Sequence, residues 1–448
     1  MPSLAILDLL DAVHQHNDDA VLSSLTTFLS LPTPQDEISK LVDLEQLFTL
    51  IERDYNWSRP IPTPPQTPTP PPVTVPFDLL SSYIKDTFVC YGVPEKEAAV
   101  AADVLIESDK RGINSHGIGR FKPIYCDRLD AKIMHPYKPI AVVKETATMA
   151  VVDGNMGMGL YIGPYCMDLA IRKAKENGGI GYVIAKNSTH YGIAGYYATM
   201  ATERGCVGLT GTNARPSVAP TFGVEPMLGT NPLTFGIPTA DEFPFVIDCA
   251  TSTNQRGKLE QYAREGKLTP KGAVVDINGV ERRDTEQILV DIGKGTCALT
   301  PVGGAGDELG GYKGYGWGTV VELLCVAAQS GPFGSALTGI DNVTKEKTPM
   351  PLGHFFLAID VESLCDVETF KKNSSEVLDG LRKSKVSPRA EHGGRIFTAG
   401  EKEHIARVER TAAGGCPVPA SLQKDMKVVR ERFPELMKKY PIGSFPFE

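Results

Sequence analysis

The sequence predicts a layered α/β fold, with helices over a mixed sheet. Three observations predict it. From residue 140 onward, short apolar strand-like runs alternate with amphipathic helical stretches. The chain of 448 residues is 42% hydrophobic and 22% charged, which is enough apolar material for a sizeable core. The excess of acidic charge and a dense cluster of prolines lie at one end. Residues 1–59 hold 10 acidic and 3 basic side chains, and 9 of the 34 prolines fall in residues 60–76, so the net charge of -8 belongs mostly to an N-terminal appendage and the body is near neutral.

The elements follow in order. Leu4, Leu7 and Leu10, then Leu22, Leu25 and Leu29, recur at helical spacing, so residues 1–59 read as an acidic helical extension. Residues 60–76 (PIPTPPQTPTPPPVTVP) cannot donate a regular set of backbone hydrogen bonds and read as an extended polyproline II linker. Such a segment serves as a spacer or docks a protein partner. Residues 77–448 form the body. It opens with a helix pair: 77–91 closed by Gly92, then 95–111 opened by Pro94 and closed by Gly112. A loop and short helix fill 113–136. Strands are expected near 141–143, 149–154, 180–187 and 206–213, with helices at 161–178 and 196–205 between them. LTFGIP (233–238) and PFVIDCA (244–250) read as buried strands. Residues 257–311 are Gly-rich and polar, with a helical break at 258–268. A long apolar helix at 315–331, a strand at 354–360 and helices near 367–384, 401–412 and 419–434 complete the chain.

Composition excludes several function classes. No dense Lys/Arg stripe offers a nucleic-acid face, and no run of about 20 apolar residues suits a membrane span. The N-terminus lacks the positive region of a secretory signal and the Arg-rich pattern of a transit peptide, so a cytoplasmic location is expected. The nine cysteines are scattered without CxxC spacing and read as buried free thiols in a reducing compartment. No metal site is expected, because no short-spacing ligand set appears.

No Rossmann fingerprint is present. Gly157-Met158-Gly159 follows a strand and precedes a helix, but the third glycine, Gly163, comes one residue late and no ribose-binding acid follows. It reads as a turn with a helix start. Walker A, H-E-x-x-H and G-x-S-x-G motifs are also missing. Four other stretches carry chemistry. His116 lies in GINSHGIGR (112–120), a Gly-punctuated turn after a helix, with Arg120 four residues on offering a carboxylate fork. His190 lies in NSTHYG (187–192), at the carboxyl end of a strand, where open α/β sheets gather ligands. Either histidine could equally be a satisfied turn or core residue. Asp248 to Asn254 ends a strand in small polar residues. Gly310 to Gly316, with Lys313, precedes the apolar helix and suits phosphate contact.

Together, DKRGINSHGIGR, AKNSTHYGIAGYYATMA, VEPMLGTNPLTFGIPT, VIDCATST, GGYKGYGWGTVVELL and FTAGEKEHIARVER resemble the type II malate/L-lactate dehydrogenase family, in order and spacing across residues 73–437. Relatives include ureidoglycolate dehydrogenase, sulfolactate dehydrogenase, diketogulonate reductase and piperideine-2-carboxylate reductase. The resemblance implies a non-Rossmann NAD(P)-binding α/β sandwich, commonly a homodimer. It implies hydride transfer between NAD or NADP and a small 2-hydroxy acid, most simply malate or lactate. Another 2-oxo acid, a cyclic imino acid or ureidoglycolate is the alternative within this chemistry. A non-catalytic scaffold using residues 1–76 is the alternative outside it. By resemblance, His116 is the acid/base, Ser115 supports it and Arg120 holds the substrate carboxylate. His190 acts as proton acceptor in some relatives, so both histidines stand as candidates. The cofactor contacts carried over are Asn213 and Ala214, then Asp248, Cys249 and Ala250, then Lys313, Gly314 and Tyr315. The long, charged 257–311 stretch and the N-terminal appendage depart from the family pattern.

Overall fold

Proline decides where the body's first helices begin. In this computed structural model, which describes residues 72–441 and 443 apart from 342 and 391–393, Pro76 and Pro94 occupy N-cap positions with ring-locked φ of -54° and -58°. Their carbonyls accept the first helical N–H groups, from Leu80 at 3.1 Å and Ala98 at 2.9 Å. The helices expected in residues 1–59, and the linker as far as residue 71, lie outside the described residues.

In chain order, strand β1 (Val73–Val75) precedes helices α1 (Phe77–Cys90) and α2 (Glu95–Lys110). Gly112 closes α2 in the left-handed region that only glycine adopts freely. Residues 118–130 wind through a short helix, a π-helical turn at Phe121–Cys126 and a last turn at Asp127–Asp130. Then come β2 (Ala141–Glu145), β3 (Met149–Asp153), α3 (Gly159–Glu176), β4 (Ile180–Ser188), α4 (Ala194–Thr202) and β5 (Cys206–Thr212). Strands β6 (Leu233–Ile237) and β7 (Phe245–Cys249) follow. Residues 257–311 contribute more than the expected helical break. They supply α5 (Arg256–Arg264), β8 (Val274–Asp276), α6 (Thr285–Lys294) and β9 (Cys297–Leu299). Leu259, Val274, Ile288 and Leu299 bury one another there as a separate small core. The apolar helix, α7 (Gly311–Val326), starts four residues earlier than its apolar run suggests. The chain ends in β10 (Leu352–Asp360), α8 (Val367–Arg382), α9 (Glu401–Ala412), β11 (Cys416–Val418), α10 (Ala420–Glu431) and α11 (Pro434–Lys439). The helix expected at 419–434 is α10, which stops at Glu431, and Pro434 opens the separate helix α11 at its first position.

The central sheet has seven strands in the order β2-β3-β4-β10-β5-β6-β7, and only β3 and β4 run parallel. β10 joins last in sequence yet lies at the middle. It pairs antiparallel with both β4 and β5, with Phe356 opposite Val183 on one side and Thr210 on the other. Helices α3 and α4 cover one face of the sheet, and α7 packs on strands β10, β5, β4 and β6. Phe356, Val183, Leu160 and Ile162 are fully buried in the main core, each contributing about 1.5–3 kcal/mol of apolar transfer.

Two expectations are corrected. PFVIDCA is not a buried strand: β7 is the edge of the sheet, so Ile247 to Cys249 are exposed along its outer half. The nine thiols are all free, but Cys249 and Cys365 are exposed and Cys90 is half-buried. The end of the linker is also more than a spacer, since Val73 to Val75 pair with Val418 to Cys416.

Candidate active site

The site lies where α2 ends, β4 ends and α4 begins. The turn after α2 carries Ser115, His116 and Arg120. The bend between β4 and α4 carries His190. Residues 74 positions apart in sequence thus meet, with the two imidazoles stacked at 5.8 Å between centroids and 22° between planes. Gly159, from the glycine pair that imitates a dinucleotide fingerprint, explains how close the elements come. A side chain there would strike the Thr189 carbonyl at 2.3 Å, and the Gly159 N–H donates to the Thr189 hydroxyl at 3.0 Å. The segment is a turn and helix start, as expected.

Each histidine has one ring nitrogen committed. Ser115 Oγ lies 2.9 Å from His116 Nδ1. Tyr125 Oη lies 2.6 Å from His190 Nδ1, which also accepts the Gly192 N–H at 3.3 Å. Among the described residues, Nε2 of neither ring has a hydrogen-bond partner. Burial pushes the His116 imidazole down to about 4, helped by the Arg120 charge. Burial also holds His190 well below the ordinary range, reinforced by His116 and then by Arg128, Arg120 and His354. Two such groups stacked together titrate as a coupled pair, in which a proton on one ring disfavours a proton on the other.

Arg120 is held by its own turn, its Nε donating to the Ser115 carbonyl at 2.6 Å. Gly257, in the first turn of α5, approaches so closely that a side chain there would lie 2.8 Å from Arg120 Nη2. The small 257–311 layer therefore roofs the site. Arg128 and Arg215 stand nearby. Burial lowers the affinity of both guanidiniums for their protons, Arg215 adds repulsion to Arg128, and Arg256 adds it to Arg215. Among the described residues, no carboxylate lies within ion-pair reach of Arg120, Arg128 or Arg215, so positive charge is in excess.

The carried-over cofactor residues divide by role. Asn213 is fully buried: its amide donates to Glu322 of α7 at 3.2 Å and its oxygen accepts the Gly353 N–H at 2.9 Å. The Asp248 carboxylate accepts the Gly195 N–H at the start of α4 at 2.7 Å and the Thr234 hydroxyl at 3.2 Å. Although the residue lies on the exposed edge strand, its carboxyl is turned against the start of α4, and the loss of water there raises its pKa. These two side chains brace the frame, and their small neighbours Ala214 and Ala250 are half-buried beside them. Cys249 is exposed. Gly314 sits against the Val302 backbone, where a side chain would come within 2.4 Å, and Tyr315 is half-buried on the same turn. Lys313 is exposed, with its ammonium 5.7 Å from the Tyr312 ring and no carboxylate partner among the described residues. A free ammonium beside the Gly-rich start of a 16-residue helix fits a phosphate. A cavity of about 240 Å³ runs beside this strand end, bordered by Arg111, Ile113, Gly195, Asp248 and His404.

Four participants were not singled out by the sequence reading. Tyr125 falls in the π-helical turn and Arg128 in the short α-helical turn directly after it, so no standard periodicity carried through this stretch gives their side-chain directions. His354 is fully buried, bridging Ser188 Oγ at 2.8 Å and Thr212 Oγ1 at 2.7 Å, and stacks on Tyr191 at 4.5 Å. It ties the β4 end that carries His190 to the β5 end that carries Asn213. A polar residue opening the apolar run HFFLAID was the available signal. Glu322 joins Asn213 to Asn231, and only the fold brings those asparagines to it.

The family model described as malate/L-lactate dehydrogenase matches residues 75–427, which spans every one of these groups. The chain belongs to the malate/L-lactate dehydrogenase family. It is similar to the malate dehydrogenase of Pyrococcus horikoshii, 39% identical over 360 residues, covering 80% of this chain and 95% of that protein. It is also similar to the L-sulfolactate dehydrogenase of Methanocaldococcus jannaschii, 34% identical over 346 residues, covering 77% and 93%. The crystal structure of malate dehydrogenase from Entamoeba histolytica superposes with a TM-score of 0.77 at 38% identity, covering 84% of this chain and all of that one. This family member is thus a dehydrogenase acting on 2-hydroxy acids, built on the expected α/β fold. No helix among its described residues is long and apolar enough to cross a membrane.

Proposed function

We propose that the chain interconverts malate and its 2-oxo acid with NAD or NADP, and that His116 and His190 act as one acid/base unit. The observation that carries this reading is the stacked histidine pair facing an excess of uncompensated arginine. A dicarboxylate brings two negative charges to Arg120, Arg128 and Arg215, whereas lactate brings one. The malate dehydrogenases at 39% identity support the same choice.

The nicotinamide, when bound, supplies or takes the hydride. The protein does the rest. Arg120 holds the carboxylate beside the reacting carbon. The histidine pair gives a proton to the ketone oxygen in reduction and takes the hydroxyl proton in oxidation. Ser115 and Tyr125 keep each Nδ1 occupied, so Nε2 is the nitrogen that reacts. Lys313 and the Asp248–Ala250 strand end hold the cofactor. The outer face of α7 supports a homodimer, because Trp317, Val320 and Leu323 are 55%, 40% and 55% exposed.

Purified protein is expected to oxidise NADH or NADPH with oxaloacetate, and more slowly with pyruvate. A panel of oxaloacetate, pyruvate, a sulfonated 2-oxo acid and a cyclic imino acid, run with both cofactors, checks this. Faster turnover of pyruvate or the cyclic imine refutes the malate assignment. Absence of turnover and of NAD(P)H binding refutes the enzymatic reading and favours the scaffold. In the same assay Arg120→Ala is expected to raise KM for the 2-oxo acid about 10–100-fold, since a charge-assisted hydrogen bond contributes roughly 1.5–3 kcal/mol. Arg120→Lys keeps the charge without the fork and is expected to recover only part of the loss.

A further inference from the structure

The turn that presents Ser115, His116 and Arg120 is anchored by a carboxylate that takes no part in the chemistry above. Asp109 lies in the last turn of α2 and is 1% exposed. Its Oδ2 accepts the backbone N–H of Ile118 at 2.7 Å, two residues past His116. That N–H is one of the donors a helix start at Ile118 leaves unsatisfied. Gly117 makes the approach possible. A Cβ on Gly117 would fall 2.2 Å from the Asp109 carboxyl carbon, so the carboxylate occupies the space a side chain would need. The rest of the turn is built outward from this contact. His116 N–H donates to the Ile113 carbonyl at 3.0 Å and Arg120 N–H donates to the Gly117 carbonyl at 2.8 Å. Arg410 of α9 spans the other side, donating to the Asp109 carbonyl and to Asn114 Oδ1 at 2.7 Å. Burial raises the Asp109 carboxyl to about 7, the Ile118 N–H and the Arg410 charge offsetting it only in part. A buried carboxyl is an expensive way to close a turn unless its acceptor is needed there.

We propose that Asp109 is a positioning residue for the reaction: by accepting the Ile118 N–H in the space left by Gly117, it sets the placement of His116 over His190 and of Arg120 against the substrate. This rests on the catalytic reading above. It acts through the turn and touches neither substrate nor cofactor.

Three variants test it in the full chain. Asp109→Ala removes the acceptor. Asp109→Asn keeps an oxygen in place without the charge. Gly117→Ala keeps the carboxylate but displaces it, and stands in should Asp109→Ala fail to fold. Two readouts are taken. The first is hydrogen–deuterium exchange of the peptide covering residues 112–120. The second is steady-state kinetics with oxaloacetate and NADH. Asp109→Ala and Gly117→Ala are expected to expose the Ile118 amide to exchange and to lower kcat about 10²-fold, the cost of a misplacement of roughly 1 Å. KM for NADH is expected to stay at the wild-type value, and Asp109→Asn is expected to restore both protection and most of kcat. Wild-type kcat and wild-type protection in Asp109→Ala overturn the proposal. So does an Asp109→Asn as impaired as Asp109→Ala, or a parallel loss of NADH affinity, which marks a general structural role. A wild-type protein that turns over no 2-oxo acid sinks the catalytic reading instead, and the exchange arm still decides whether Asp109 holds the turn.

Discussion

Replacing either His116 or His190 with alanine is expected to lower kcat for 2-oxo acid reduction by about 10²–10⁴-fold, the usual range for a lost acid/base. The two losses are expected to be similar, because the stacked rings titrate as one coupled pair. The double variant is then no worse than the worse single one. The pH dependence follows from the direction of the shifts. With His116 lowered to about 4 and His190 also held well below the ordinary imidazole range, the free pair is unprotonated near neutrality. Oxidation needs the unprotonated pair, so its kcat/KM is expected to rise from acid pH and to be flat near neutrality. Reduction needs the proton, so its kcat/KM is expected to fall as pH rises above the pair's apparent pKa. A bound dianion favours the charged pair, so the same limb in kcat is expected at higher pH than in kcat/KM. Rate profiles in both directions measure this. Retention of near wild-type turnover by either single variant would show that the rings do not work as a unit.

The second large effect is expected from the outer face of α7. Gly314, Gly318, Val321 and Cys325 face the sheet, while Trp317, Val320, Leu323 and Leu324 are 55%, 40%, 55% and 38% exposed. A helix apolar on all sides belongs in an interior, and one protomer covers only half of this one. A second copy is the occupant proposed above. Lys313 lies in the first turn of the same helix, so losing the partner should loosen the cofactor site as well. Trp317→Asp combined with Leu324→Asp is expected to convert a dimer to a monomer in light scattering and to remove most turnover, with far-UV circular dichroism preserved. A wild-type protein that is already monomeric and fully active excludes this reading, as does a monomeric double variant with wild-type rates.

How far the sequence could be read depended on the range of the interaction involved. Strand and helix identities from 140 to 213 were legible because burial on one side imposes periods of 2 or 3.6 on neighbouring residues. His116, Arg120, His190 and Lys313 were legible because glycines and small polar residues mark turns where chemistry can be exposed. The brief strands β8 and β9 were hidden because three residues are too few to show a period. The exposure of β7 was hidden because its apolar run gives no sign of being a sheet edge.

The sequence by itself therefore determined the alternation of elements, the placing of acid charge and proline in the first 76 residues, and the candidate polar groups. Their chain order and spacing also identified the family. Only the tertiary structure decided that β10 enters between β4 and β5, that the rings of His116 and His190 stack, that His354 ties two strand ends together and that Asp109 closes the turn at Ile118. Periodicity and turn chemistry act over a few residues and are written locally. Strand order and the meeting of side chains 74 or more positions apart follow from how whole layers bury their apolar faces, a property of the folded chain and of no single segment.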